Sequence, residues 1–103
     1  MNIKLSDWHP EDIKAAIRKK GITLADLARD AGMAGNALRL ALSLPRAEAE
    51  RVIAAALDLH PMVIWPSRYH ADGRRKQPQP ADNYRAARRF GNAESLSHAE
   101  AAV

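Results

Sequence analysis

The stretch from Thr23 to Arg39 admits few backbone geometries. Thr23 followed three positions later by Asp26 reads as a capping box that opens a helix, because each residue can satisfy a backbone N–H that the first helical turn leaves unpaired. Leu24, Leu27, Ala28 and Ala31 fall on one face of that helix. Gly32 then supplies a residue that adopts positive φ at no steric cost, as a tight turn requires. A second helix, expected from about Gly35 to Leu42, turns Leu38, Ala41 and Leu42 inward. Two helices joined across so short a turn must cross steeply and approach closely. Ala28 is small enough to permit the approach, Leu38 is the anchor that locks the pair, and Leu27 and Met33 fill the corners. The spacing predicts a helix-turn-helix.

The flanking sequence extends this to an all-α domain. His9-Pro10 opens a first helix, with Glu11 and Asp12 in its first turn and Arg18, Lys19 and Lys20 before the stop residue Gly21. A fourth helix is expected to open at Pro45 and to turn Ala49, Val52, Ile53, Ala56 and Leu57 inward. A short turn from Pro61 to Trp65 closes the core. His9 and His60 each precede a proline at a helix start, which suits capping, and Trp8, Trp65 and Tyr69 are expected to pack rather than form a stacking platform. No run of alternating β-branched residues supports a strand. The reading is a compact domain of four to five helices over residues 1–72, followed by a disordered basic tail over 73–103. After Gly73 come Arg74-Arg75-Lys76, a Pro/Gln stretch and an Ala-rich polar segment in which only Tyr84, Phe90 and Leu96 are sizeable anchors. A transient basic helix over 84–90 is a further expectation.

Charge points toward a polyanion, though weakly. The net charge is +4, with ten Lys/Arg against nine Asp/Glu in residues 1–72 and six against three in 73–103. The chain has no cysteine, which excludes disulfides and thiolate zinc sites. His9, His60, His70 and His98 are scattered without metal-ligand spacing. No phosphate-cradling glycine loop and no nucleophile–base pattern appears. No apolar run approaches the roughly 20 residues needed to span a bilayer, and Met1 to Asp7 does not resemble a secretory leader. The expectation is a cytoplasmic protein with no catalysis, no cofactor, no metal, no membrane contact and no evident small-molecule ligand.

The helix-turn-helix resembles that of the lambda-repressor-like class, in which the second and third helices of a five-helix domain form the motif. Asp7-Trp8-His9 before the first helix, and Pro61-Met62-Val63-Ile64-Trp65-Pro66-Ser67-Arg68-Tyr69 far downstream, are similar to the Ner-like family of regulators known from transposable phages and bacteria. The resemblance covers roughly residues 7–70. It implies a negative regulator that binds operator DNA near early promoters, without catalysis or cofactor. Leu24 departs from the phosphate-gripping glutamine of many relatives. Ala34-Gly35-Asn36 offers one strong polar reader, which leaves backbone and shape readout a larger share.

On this reading double-stranded DNA is the partner. With Leu38 and Leu42 inward, Asn36, Arg39, Leu40 and Ser43 point outward as base-contact candidates, and Gly35 lets the backbone approach closely. Asn36 can pair bidentately with adenine and Arg39 with guanine, while Leu40 can meet a thymine methyl or a partner subunit. Asn36 as a local cap to the helix is the competing role. Thr23, Arg46, Arg68, Lys19 and Lys20 are the phosphate candidates, with Arg18 beside them. A homodimer on DNA is compatible with the pattern. The alternative is a protein-interaction module, such as an antitoxin-like protein whose tail wraps a partner. RNA binding lacks its usual aromatic sheet or glycine clamp.

Overall fold

Helix starts are written locally into this chain, and three of them use a neighbouring side chain as a cap. In the computed structural model, which describes residues 6–84, α1 spans Pro10–Lys19 with His9 as its N-cap. His9 Nδ1 accepts from Glu11 N–H at 3.0 Å, and Pro10 fills the first helical position, where its missing N–H costs nothing. Gly21, at φ +86°, ends the helix. The α2 helix, Leu24–Asp30, carries the expected capping box: Asp26 N–H donates to Thr23 Oγ1 at 3.0 Å and Thr23 N–H to Asp26 Oδ2 at 3.3 Å. Gly32, at φ +73°, turns the chain out of α2. The two bonds that close this turn run from Gly32 N–H to Arg29 O at 3.1 Å and from Met33 N–H to Ala28 O at 2.9 Å. They satisfy carbonyls that the helix end leaves open.

The third helix, α3, is only Ala37–Ala41. It begins two residues later than expected, because Gly35 and Asn36 belong to the turn. The next helix, α4, is Ala47–Ala56 rather than starting at Pro45, since Arg46 is extended at φ −144° and serves as its N-cap. A positive-φ Asp58 closes α4 in the same way that Gly32 closes α2, with Leu59 N–H on Ala54 O at 2.9 Å. Then follow α5, Pro61–Ile64, capped by His60 Nδ1 accepting from Met62 N–H at 3.0 Å, and a 3-10 turn, Pro66–Arg68. There is no strand among the described residues, so the all-α reading stands.

The core is one contiguous cluster. Ile13 and Ile17 of α1, Ala28 of α2, Leu38, Ala41 and Leu42 around α3, Ala49, Ile53, Ala54 and Leu57 of α4, and Ile64 and Trp65 are all buried. Trp8 packs against this cluster, and Trp65 and Tyr69 are buried, so the aromatics pack as expected. The two distant strings that carried the resemblance meet along one seam. Trp8 N–H donates to Ile64 O at 2.9 Å, and the Asp7 carboxylate accepts from Ser67 N–H at 2.9 Å and Ser67 Oγ at 2.6 Å.

Folding also continues past residue 72. Tyr69 and Arg75 form an antiparallel bridge around a tight turn in which Gly73 takes φ +95°. Gln79 Nε2 donates to the carbonyls of Arg68 and Lys76, both at 3.0 Å, and Asn83 Nδ2 donates to Ser67 O at 3.2 Å. Residues 73–84 therefore lie along the 3-10 turn, held by polar side chains rather than by the apolar anchors whose scarcity marked this stretch as a tail. The remainder of the expected tail, including most of 84–90, lies outside the described residues.

Candidate nucleic-acid interface

The small size of Ala28 and the positive φ of Gly32 bring α3 across α2 and leave one face of α3 in solvent. Gly35, Asn36 and Arg39 are exposed there, and Leu40 retains 40 % of its surface. Ser43 is only half-buried, at the end of the face. Asn36 stands at the helix N-terminus but makes no side-chain cap bond, so its amide is not engaged in the local role considered for it.

A groove runs along each flank of α3. The first, of about 360 Å³, is lined by Lys14 and Arg18 of α1, Thr23 at the start of α2, and Gly35, Asn36 and Arg39. Three cations and two uncharged polar side chains thus share one concavity. The second, of about 260 Å³, lies between α3 and the start of α4 and includes Met33, Ala37, Leu40 and Arg46. The structure brings Thr23, Gly35, Asn36 and Arg39 together on one flank, and Leu40 and Arg46 on the other. Lys19 and Lys20 are exposed but line neither groove. Lys14 was not among the expected residues, although it stands one helical turn before Arg18 and pairs with Glu11 at 2.8 Å. That i, i+4 spacing was the available signal.

Arg68 is the correction. It was expected at the surface against phosphate, yet it is 2 % exposed and cannot reach DNA. Its Nη1 donates to Ala41 O at 2.9 Å and to Glu50 Oε2 at 3.0 Å, and its guanidinium lies over the Trp65 ring at 4.8 Å. Glu50, fully buried, is the centre of the arrangement. It also accepts from Tyr69 Oη at 2.7 Å, from Arg75 Nε and Nη2 at 3.2 and 3.0 Å, and from the Arg46 N–H at 2.6 Å. A buried carboxylate with this many donors is stable only as a set, since a lone buried charge is costly.

The electrostatics follow from that geometry. Burial by itself raises the Glu50 pKa, but hydrogen bonds from Arg75 and Tyr69 and the Arg68 charge outweigh it and hold the carboxyl below its usual range. Burial, with the Glu50 hydrogen bond and charge, pushes the Tyr69 hydroxyl up to about 12. Burial lowers the pKa of Arg68 while Glu50 acts against it. The Arg29 and Thr23 hydrogen bonds lower Asp26 at the surface. Among the described residues no group of three His, Cys, Asp or Glu side chains is placed to hold a metal, and no helix is long and apolar enough to cross a membrane. The site offers hydrogen-bond donors, one exposed aliphatic group and positive charge around a short helix, which is chemistry for recognition.

Comparison with known proteins agrees with this geometry. A family described as winged helix-turn-helix DNA-binding matches residues 7–81. Among the described residues the single Tyr69–Arg75 bridge is the only β pairing, so no two-stranded wing is formed. The chain is 49 % identical over 70 residues to sugar fermentation stimulation protein B of Escherichia coli strain K12, covering 68 % of this chain and 76 % of that one. It is 43 % identical over 70 residues to a negative regulator of transcription of Escherichia phage Mu, covering 68 % of this chain and 93 % of that one. It is 35 % identical over 78 residues to the Mu-like prophage FluMu DNA-binding protein Ner of Haemophilus influenzae, covering 76 % and 85 %. With the helix-turn-helix in place and these relatives aligned across it, the chain belongs to the Ner-like family of helix-turn-helix DNA-binding proteins.

Proposed function

We propose that this protein is a sequence-specific transcriptional regulator that lays α3 in the major groove of double-stranded DNA and represses the promoter it occupies. The carrying observation is the exposed face of α3, where Asn36 and Arg39 stand side by side above a groove rich in cations. Asn36 reads adenine, Arg39 reads guanine, and Leu40 meets a thymine methyl. Gly35 lets the backbone close on the duplex, and Ser43 touches its edge. Thr23, Lys19, Lys20 and Arg46 hold the phosphates on either side, joined by Lys14 and Arg18 from the groove. The protein acts in the cytoplasm as a homodimer on DNA, without catalysis. Repression is supported by the relatives named as negative regulators of transcription. The name of the Escherichia coli relative favours activation as a second reading.

Selection of binding sites from random duplexes with the full chain tests the proposal. Two half-sites spaced by about 10 base pairs indicate a dimer on one DNA face. On the selected operator, Arg39→Ala is expected to cost about 1–3 kcal/mol and to relax one base position. Arg46→Ala is expected to weaken operator and scrambled duplex alike and to lower the salt slope by about one. Equal losses on both duplexes for Arg39→Ala overturn base reading by α3. A reporter with the operator across its promoter gives the direction: expression falls for a repressor and rises for an activator.

A further inference from the structure

We infer that Arg68 and Arg75 are positioning residues for DNA reading: through Glu50 they pin the C-terminal end of α3, so that the segment after the helix-turn-helix sets the aim of the reading helix. The inference rests on the reading of α3 proposed above. A helix of five residues cannot hold its own direction, because helices shorter than about 12–15 residues are marginal without external support. At its front end Asn36 makes no cap bond. Leu38 and Ala41 fix how deep the helix sits. The remaining freedom is a swing of the far end, where Arg68 Nη1 holds the Ala41 carbonyl at 2.9 Å. That carbonyl belongs to the last residue of α3, where a helix leaves acceptors open.

Arg68 is itself held from behind. Its Nη1 reaches Glu50 Oε2 at 3.0 Å, and Arg75 grips both oxygens of the same carboxylate. Arg75 arrives there because the Tyr69–Arg75 bridge folds the chain back. The line Arg75, Glu50, Arg68, Ala41 O therefore runs from the rim of the domain to the end of the reading helix. The matched family region extends to residue 81 and so includes the whole line, well past the helix-turn-helix. Bidentate base contacts tolerate displacements of only about 0.5 Å, so loosening this line acts on sequence reading before it acts on phosphate grip.

Arg75→Gln in the full chain is the test, since its side chain keeps 18 % of its surface and the charge it leaves on Glu50 can still rest on Arg68. Affinity for the selected operator is expected to fall about tenfold, the size of one base contact, with scrambled duplex unchanged. In an Arg39→Ala background the same change is expected to cost less, because only the Asn36 and Leu40 contacts remain to be disturbed. Amide exchange at Leu40, Ala41 and Leu42 should accelerate on the order of tenfold while Ile13 and Ile17 of α1 stay protected, and Arg75→Lys should restore part of both effects. Tyr69→Phe, which removes another donor to Glu50, gives the same pattern if Arg75→Gln fails to fold. An unchanged operator-to-scrambled ratio, or exchange that rises uniformly through the domain, overturns the inference and leaves Arg75 a stabilising residue only. If the wild-type chain discriminates no duplex, the reading of α3 falls, while the exchange comparison still decides whether Arg75 holds its end.

Discussion

From Pro10 to Met33 polar groups find partners within a few residues of themselves, whereas from Glu50 onward most find them far along the chain. The caps of α1 and α2 join residues two and three positions apart. The Arg68 bonds reach 18 and 27 positions back, those of Arg75 reach 25, and Asp7 reaches Ser67 across 60. A local cap survives partial opening of the rest of the molecule, because its two members stay neighbours in the unfolded chain. A long-range charge pair exists only when everything between its members is folded. The first region is thus assembled from separable parts. The second is cooperative, since its polar groups meet only when the chain between them is folded.

That contrast is broken most directly at Glu50. Glu50→Ala strands the buried Arg68 and the half-buried Arg75, and is expected to destabilise the domain by about 3–5 kcal/mol in denaturant titrations. A loss below about 1 kcal/mol, in the range of a surface ion pair, would show that the cluster does not hold the second region together.

Alkaline unfolding sharpens the same point. The Tyr69 hydroxyl stands at about 12 against an ordinary 10.0, so the folded state holds this proton more tightly than the unfolded state does. The stability it contributes is complete below pH 10 and is lost as the pH rises toward 12, on the order of 2–3 kcal/mol in all. Tyr69→Phe should flatten that limb of the stability profile, and an unchanged limb would place the pH dependence elsewhere. The sign reverses for Glu50, whose lowered value makes its contribution complete above pH 4.5 and lost as the pH falls below it.

The smallest effect belongs to the first region. A Cβ added at Gly32 meets no atom within 4 Å, so Gly32→Ala measures only the backbone strain of φ +73°. A loss of about 1–2 kcal/mol is expected from thermal melts, insensitive to salt. A loss as large as that of Glu50→Ala would mean that the turn is as cooperative as the charge cluster.

The same division decided what could be read in the residues beforehand. His9-Pro10, Thr23 with Asp26, Ala28, Gly32 and Leu38 each act over a few positions, and the structure uses all of them as the pattern suggested. The pattern starts α3 and α4 two residues before the structure does, because Asn36 and Arg46 lie at the boundary and adopt non-helical backbone. Arg68 reads as a surface cation in the sequence because its partner stands 18 positions away. A signal did exist: Glu50 falls on the same face of α4 as Ile53, Ala54 and Leu57, an inward position that an acid occupies only when cations meet it. Residues 74–84 were hidden differently. Gln79 and Asn83 hold them through backbone carbonyls, and apolar periodicity does not register such bonds. The exposed face of α3 was legible from helical spacing, whereas the cation-lined groove beside it needed α1 in three dimensions.

The anchoring of α3 has one more consequence. The groups that hold this helix from within, the buried Leu38 and Ala41 side chains and the Ala41 carbonyl under Arg68, lie behind it or on its backbone. None of it involves the side chains of Asn36, Arg39 or Leu40. Those three positions can be exchanged without disturbing the scaffold, so on the proposed reading of α3 a lineage carrying this domain can be recoded for new operators by single substitutions. The reverse exchange is closed, because a helix-turn-helix cut out as a cassette leaves residues 50, 68 and 75 behind.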